Sequence, residues 1–338
     1  MSVTTVSRVI NDRALEIRIS SKTRDRVLTV AKEMGYKPNP FARSLRTKKS
    51  RIFGVVVAEM KDPYFATISS AIEQASISRG YYPLVSSLEN NLEEEKACVE
   101  VHRANRVAGI LFAGGALRVD GGILHQLVED NIPVVFIGKN VEAFPIPYVT
   151  VDNVKGAFLA TEHLIKLGHR RIGLIMGPEE IVESGQRREG YKRALEEYGL
   201  PYDERWIEQE VQLITSDPAS GYSATMRLLE RDRPPTALFT FDDWYALGAI
   251  RAAVEKGFTI PQDLAVLGFD NIVEAAYYNP PLTTVEQPIS EMGRIAADML
   301  IDAIEGTLEE ERSSVVLEPK LIVRESCGAG SPMKEGEE

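Results

Sequence analysis

Two cysteines and four histidines in 338 residues leave little material for metal or thiol chemistry. Cys98 and Cys327 are too few and too far apart for a disulfide framework or a clustered zinc site, and lone cysteines fit a reducing compartment. His102, His125, His163 and His169 fall in no HExxH pattern, and neither GxSxG nor GxxxxGK[ST] occurs. Zinc-hydrolase, serine-hydrolase and P-loop chemistries therefore lack their minimum parts. No apolar run approaches the ~20 residues that cross a bilayer, and the polar, basic start has no apolar core of an export signal. The expectation is a cytoplasmic protein that is not an enzyme, with no metal, no cofactor and no membrane. No repeat or low-complexity stretch interrupts the chain before a polar tail over 329–338, expected to be disordered.

What is present is divided by charge. Residues 1–50 carry 12 Lys and Arg against 4 Asp and Glu, a net +8. The whole chain sums to −11, so residues 51–338 carry −19. A polyanion would attract the head and repel the body. The head is also patterned, which separates it from an ordinary basic tail. In SVTTVSRVIN (2–11), Val6, Val9 and Ile10 recur at helical spacing, while Thr4, Thr5 and Arg8 take the other side. One face can pack while the other offers hydroxyls and a guanidinium to a major groove. A second helix begins at an N-cap, Ser20, sets Val27, Val30, Ala31 and Met34 on one face, and stops at Gly35. In YKPNPFARSLRTKKS, Pro38 and Pro40 forbid a continuous helix, and Asn39 can cap a short one over 41–46. So short a helix forms most readily against a partner.

SVTTVSRVIN, KTRDRVL and GYKPNPFARSLR, in this order and spacing, resemble the lactose-repressor/galactose-repressor family of bacterial transcription regulators, and the resemblance runs almost to the C-terminus. It implies that 2–11 is the recognition helix of a helix-turn-helix, with Val3, Thr4 and Arg8 at base-reading positions and Thr5 and Ser7 nearer the phosphates. It makes 41–46 a hinge helix that orders on the operator and extends the DNA contacts to Asn39, Arg43, Leu45 and Arg46. Leu45 is then an apolar wedge in the minor groove; such wedges cost unstacking and return a bent site with more contacts. Family members begin with another helix packed across the recognition helix, whereas this sequence opens at the turn. Met1 stands where the family usually has Val, as a GTG codon read as a start would give. The expectation is a reading frame that begins upstream, and an incomplete all-α headpiece that binds DNA poorly as written.

In the body, apolar runs at 52–60, 82–88, 109–114 and 134–138, then 171–177, 237–241 and 264–269, read as strands buried on both faces. Helix-length segments lie between them, over 64–79, 92–105, 153–167, 187–198 and 244–256. The alternation predicts an α/β core of two doubly wound parallel-sheet subdomains, and the resemblance implies the periplasmic-binding-protein-like version of it. That version exchanges strands through three crossovers, placed near Asp152, Leu282 and Glu311. The subdomains are then 51–152 with 283–311, and 153–282 with 312–328.

A cleft between two such sheets is the natural ligand site, because loops at the carboxyl ends of strands converge there. Tyr64 and Phe65, in DPYF, supply flat faces suited to a sugar or a purine. Arg187, after GPEEIVESG, aligns with the family's ligand-binding arginine. Asp242 and Trp244, in FDDWYALGA, and Asp270, in GFDN, follow apolar runs, and ionised carboxylates there can grip neighbouring hydroxyls. Lys139 and Glu183, with Gly138 and Ile181, occupy positions that line the pocket in the family and vary within it. Asp62, Asp152 and Asp243 have a competing reading as helix N-caps. The carboxylates favour a carbohydrate, while Ile181 and Glu183 weigh against a nucleobase. The function expected is a dimeric regulator, in all expectation a repressor, that binds a pseudo-palindromic operator and a small-molecule effector. The alternative is a soluble sugar receptor of the periplasmic type with no DNA-binding role.

Overall fold

The computed structural model describes residues 2–10, 19–36, 50–88, 94–114, 121–138, 145–179, 181–209 and 217–329. The expected DNA contacts Asn39, Arg43, Leu45 and Arg46, the expected effector contact Lys139, and 330–338 of the tail lie outside them. The chain divides into two compact units, Met1–Arg51 and Ile52–Glu338.

The first unit contains α1 (Val3–Ile10) and α2 (Ser21–Glu33). Ser2 Oγ accepts from the Thr5 amide at 3.2 Å, and Ser20 caps α2 by accepting from the Thr23 amide. Gly35 follows α2 at φ +62°, the left-handed conformation that ends helices and suits glycine. Val9 and Val27 are the buried centre, with Val6, Ile10 and Ile19 packed around them. The face expected on α2 is only partly used. Val27 is buried, but Val30 is 44% and Met34 78% exposed. An eight-residue helix opposite one turn of α2 cannot cover two more turns of it.

The second unit is built on two six-stranded sheets. The first holds β1 (Ile52–Val57), β2 (Tyr82–Ser87), β3 (Ile110–Ala113), β4 (Val134–Ile137), β5 (Tyr148–Val151) and β11 (Ser314–Leu317). They run in the order β11-β5-β4-β3-β1-β2, every pair parallel. The second holds β6 (Ile172–Met176), β7 (Ile207–Gln209), β8 (Ala237–Thr240), β9 (Ala265–Asp270), β10 (Thr283–Glu286) and β12 (Lys320–Ile322). Its order is β12-β10-β9-β8-β6-β7, parallel except for β12, which runs antiparallel to β10. β1, β3 and β4 are buried almost throughout, as continuous apolar runs require. β2 is not: Tyr82 is 57% exposed, because this strand closes the sheet and has a neighbour on one side only.

Helices cover both faces of each sheet. In the first lobe α3 (Pro63–Ser78) and α10 (Ile289–Glu305) bury Ile68, Ile72, Met292 and Leu300 against one face. On the other face α4 (Glu94–Ala104) and α5 (Gly121–Glu129) bury Val99, Leu124 and Leu127 beside the stacked rings of Phe112 and Phe136. In the second lobe α6 (Asn153–Lys166) and α7 (Val182–Glu197) take one face, and α8 (Pro218–Leu229) and α9 (Asp243–Glu255) the other. Each fully buried aliphatic or aromatic side chain contributes roughly 1.5–3 kcal/mol, so each lobe carries its own core.

The chain passes between lobes after β5 at Asp152, after β10 at Gln287–Pro288 and after β11 at Glu318–Pro319. The last two differ from the crossovers expected near Leu282 and Glu311. Strands of only four residues each, over 283–286 and 314–317, shift both boundaries toward the C-terminus. The helix expected to begin at Arg187 begins at Val182 instead, so half of the expected loop is its first turn.

Candidate functional site

The carboxyl ends of β1, β4, β8 and β9 face one another across the gap between the lobes. Asp62 stands after β1 and caps α3, its Oδ1 accepting from the Tyr64 amide at 2.8 Å. Tyr64 is half-buried and meets the Phe65 ring edge-on at 5.1 Å. Phe65 belongs to the first lobe's core, packed under Gly114, and so supports Tyr64 instead of offering an open face. From the other lobe, Asp242 caps α9 through the Tyr245 amide. Asp243, expected as a possible cap, is not one. Its carboxylate is fully buried, accepting from the Ile272 amide at 2.9 Å and Thr284 Oγ1 at 2.5 Å, and thereby ties α9 to β9 and β10. Asp152 caps α6 through the Lys155 amide. Trp244 sits half-buried in the first turn of α9, against the core that α8 and α9 share.

Arg187 is the most constrained side chain here. Nε donates to Asn153 Oδ1 at 3.0 Å, Nη1 donates to the Phe241 carbonyl, and Nη2 lies 3.9 Å from Asp270 Oδ1. The guanidinium carbon is 3.7 Å from the Phe269 ring centre and 4.5 Å from that of Phe241, so aromatic faces hold the cation. This geometry depends on Gly190 one turn on. A Cβ there would stand 2.1 Å from the Val154 carbonyl oxygen, so only glycine lets α7 press against the start of α6, where Asn153 waits. Asp270 ends β9 at φ +113°, a conformation that a non-glycine residue adopts at a cost. Gln287 Nε2 donates to its Oδ1 at 2.5 Å.

The lobes also touch at Glu183. Its Oε1 lies 2.7 Å from where a Cβ on Gly138, at the end of β4, would stand, and Gly138 has φ +89°. Glu183 is thus a second-lobe carboxylate seated against the first lobe. Burial and mutual repulsion dominate the electrostatics. Burial, with the charges of Asp242 and Asp270, pushes the Asp62 carboxyl up to about 8. Burial raises Asp270 to about 7, opposed by Arg187. Tyr64 is raised by burial and by the charges of Asp270, Glu183 and Asp62.

Of the expected effector residues, Tyr64, Glu183, Arg187, Asp242 and Asp270 therefore meet, while Phe65 lies beneath them. Sequence reasoning missed Asn153, Gln287 and the Phe241–Phe269 pair; all but Gln287 adjoin strands or helices it had placed, but nothing in their own spacing marks them as partners of Arg187. In the first unit, Val3, Thr4 and Arg8 are exposed on α1, with Thr5 and Ser7 half-buried, on sides that Val9 leaves open. Among the described residues no group of three or more His, Cys, Asp or Glu is arranged to hold a metal ion, and no helix is long and apolar enough to cross a membrane.

A DNA-presenting helix pair joined to a two-lobed α/β core with a polar cleft is the arrangement of a ligand-responsive regulator. Residues 1–39 match the model of bacterial regulatory proteins of the lacI family, and 161–327 match a periplasmic binding protein-like domain. The HTH-type transcriptional regulator DegA of Bacillus subtilis (strain 168) is 35% identical over 327 residues, covering 96% of this chain and 94% of its own length. Among solved structures, a complex of the transcriptional regulator CelR with cellobiose superposes with a TM-score of 0.74 at 32% identity, covering 96% of each chain. The lac repressor dimer bound to operator and the anti-inducer ONPF superposes with a TM-score of 0.84 at 28% identity, covering 97% of this chain and 96% of the other. The chain belongs to the lacI family. It is a DNA-binding transcriptional regulator with a periplasmic-binding-protein-like core.

Proposed function

We propose that this protein is a repressor that binds a pseudo-palindromic operator as a homodimer and is switched by a carbohydrate in the cleft between its lobes. The observation that carries the reading is Arg187, fixed between two aromatic rings and aimed at Asp270, with Tyr64 on the facing lobe and Asp242 alongside. Fixed donors, carboxylate acceptors and a flat ring are the means by which a site holds a polyol. Cellobiose in the CelR complex is a ligand of that kind.

DNA is read by Val3, Thr4 and Arg8, supported by Thr5 and Ser7. Asn39, Arg43, Leu45 and Arg46 act at the operator centre, Leu45 as a wedge. A twofold dimer requires a twofold site. Effector closes the lobes, and closure shifts the population of dimers able to hold operator.

A thermal-shift screen against mono- and disaccharides, nucleobases and sugar phosphates tests the effector class, because a ligand that binds only the folded form must raise its melting temperature. A carbohydrate hit supports the reading, and a nucleobase hit alone would overturn it. Leu45→Ala should weaken operator binding more than binding to unrelated DNA. Equal losses would remove the wedge.

A further inference from the structure

Gly138 follows β4 at the rim of the first lobe, and what it faces belongs to the second. A Cβ built there would lie 2.7 Å from Glu183 Oε1 and 3.9 Å from its Cδ. Apart from its chain neighbours, nothing else among the described residues comes within 4 Å of that point. The seat is stiff. The Gly138 amide donates to the Val149 carbonyl at 2.9 Å and Thr150 Oγ1 donates to the Gly138 carbonyl at 3.3 Å, tying both backbone groups to β5 of their own lobe.

The side that meets this seat is held as firmly. Glu183 stands in the first turn of α7, with Ile181 and Ser184 buried around it. A carboxylate on the surface would swing aside, but at 8% exposure Glu183 has little room to do so. One turn along the same helix face is Arg187, fixed by Asn153 and the Phe241 carbonyl. Gly190 presses the helix onto α6.

Building on the reading that effector acts by closing the lobes, we propose that Glu183 and Gly138 form the stop on which closure comes to rest. The Gly138 amide is engaged inside the first lobe, so this contact works through bulk. Two tightly packed groups that cannot move aside resist further approach steeply. Tyr64 of the first lobe also feels the charge of Glu183, which places the carboxylate against that lobe at a second point. Because α7 carries both Arg187 and Glu183, a ligand that pulls on the arginine drives the stop toward its seat. The closed separation of the lobes is then defined by the chain itself, whatever the size of the ligand. Glycine is needed at 138 on two counts, for φ +89° and for leaving the path of Glu183 clear.

Pulsed electron-spin distance measurements on the full chain test this without any sugar. Spin labels go on Glu94→Cys and Ala219→Cys, exposed positions at the starts of α4 and α8, one in each lobe. Cys98→Ser and Cys327→Ser keep the labels specific, and dilution with unlabelled chain isolates the distance within one copy. Glu183→Ala should extend the distribution to shorter distances than the parent reaches. Glu183→Gln, equal in bulk, should keep the parent's lower limit. Gly138→Ala should remove the shortest distances, and adding Glu183→Ala should bring them back, a rescue that backbone strain at residue 138 alone would not give. An unchanged lower limit in Glu183→Ala, a Gln variant that behaves like the Ala variant, or no rescue in the double variant would overturn the stop and leave the effector reading standing. A thermal-shift screen without a hit would remove the effector reading and leave these distances as they are.

Discussion

The two lobes share one strand order, so that β2, β1, β3, β4, β5 and β11 of the first correspond to β7, β6, β8, β9, β10 and β12 of the second. Their contributions to the cleft are unequal. The second lobe supplies Arg187 with its aromatic walls, Asp242, Asp270 and Glu183, and fixes them through Asn153, Asp243 and Gln287. The first lobe supplies Asp62 and Tyr64 at the start of one helix and a glycine that makes room for Glu183. The difference teaches a division of labour: one lobe is prearranged to hold the ligand, and the other carries the groups that close on it.

The largest expected effect lies in the holding lobe. Arg187→Ala leaves Asp270 buried beside Asp242 without its cation, and removing one partner of a buried pair typically costs about 3–5 kcal/mol. Effector response should vanish and the melting temperature of the core should fall, while operator affinity measured without effector stays nearly unchanged. Asp270→Ala should abolish the response equally. Normal induction in both variants would mean that the cleft is not the effector site. Gly190→Ala tests the same lobe from behind. A Cβ there collides with the Val154 carbonyl, so α7 must shift and carry Arg187 away from Asn153. Effector affinity should drop more than tenfold although the substituted atom never meets the ligand.

Much of this was legible in the sequence, and the reasons differ by element. The strands buried on both faces, 52–57, 110–113 and 265–270, announce themselves as unbroken apolar runs. Ser20, Asp62 and Asp152 cap as their side chains suggest. The edge and crossover strands were harder: β10 and β11 owe their place to neighbours brought in from far along the chain, and TTVE or SVVL alone is too short to declare itself. At the site, residue types after strands pointed to Arg187 and Asp270, but their partners could not be read. Asn153 reaches Arg187 only because Gly190 permits a close helix crossing, and Asp243 turned from cap to buried tie because Thr284 lies opposite it.

In the closing lobe the expected losses are smaller. Tyr64→Ala removes a ring face but no fixed charge, so effector binding should weaken by about tenfold, in line with roughly 1.5 kcal/mol for a lost aromatic contact, and induction should persist at higher effector concentration. A loss as complete as that of Arg187→Ala would erase the proposed division between the lobes. The headpiece offers a separate contrast. Val27→Ala should cost roughly 2 kcal/mol in a core of two buried valines, lowering operator binding while the melting temperature of Ile52–Glu338 holds.

The smallest effect compares two histidines, one in each lobe, His169 half-buried and His102 fully buried. His169 in the second has a partner, with Nδ1 3.0 Å from Thr236 Oγ1, and burial lowers its imidazole to about 4. His102 in the first is fully buried under Gly54, with neither ring nitrogen hydrogen-bonded among the described residues, and burial lowers it as well. Both are neutral when folded and take up a proton more readily when unfolded. Their contribution to stability is therefore present above the unfolded value of about 6.5 and is lost as the pH falls below it. Thermal unfolding from pH 8 to pH 5 should show that decline. His102→Leu removes two unpartnered polar atoms, so the variant should melt no lower than the parent at pH 8 and should lose less on acidification. His169→Leu also removes a proton acceptor but leaves Thr236 Oγ1 without its ring partner, and should melt lower at pH 8. If His102→Leu instead proves the more damaging of the two at pH 8, its ring nitrogens are satisfied in solution and the first lobe is better arranged than its side chains indicate.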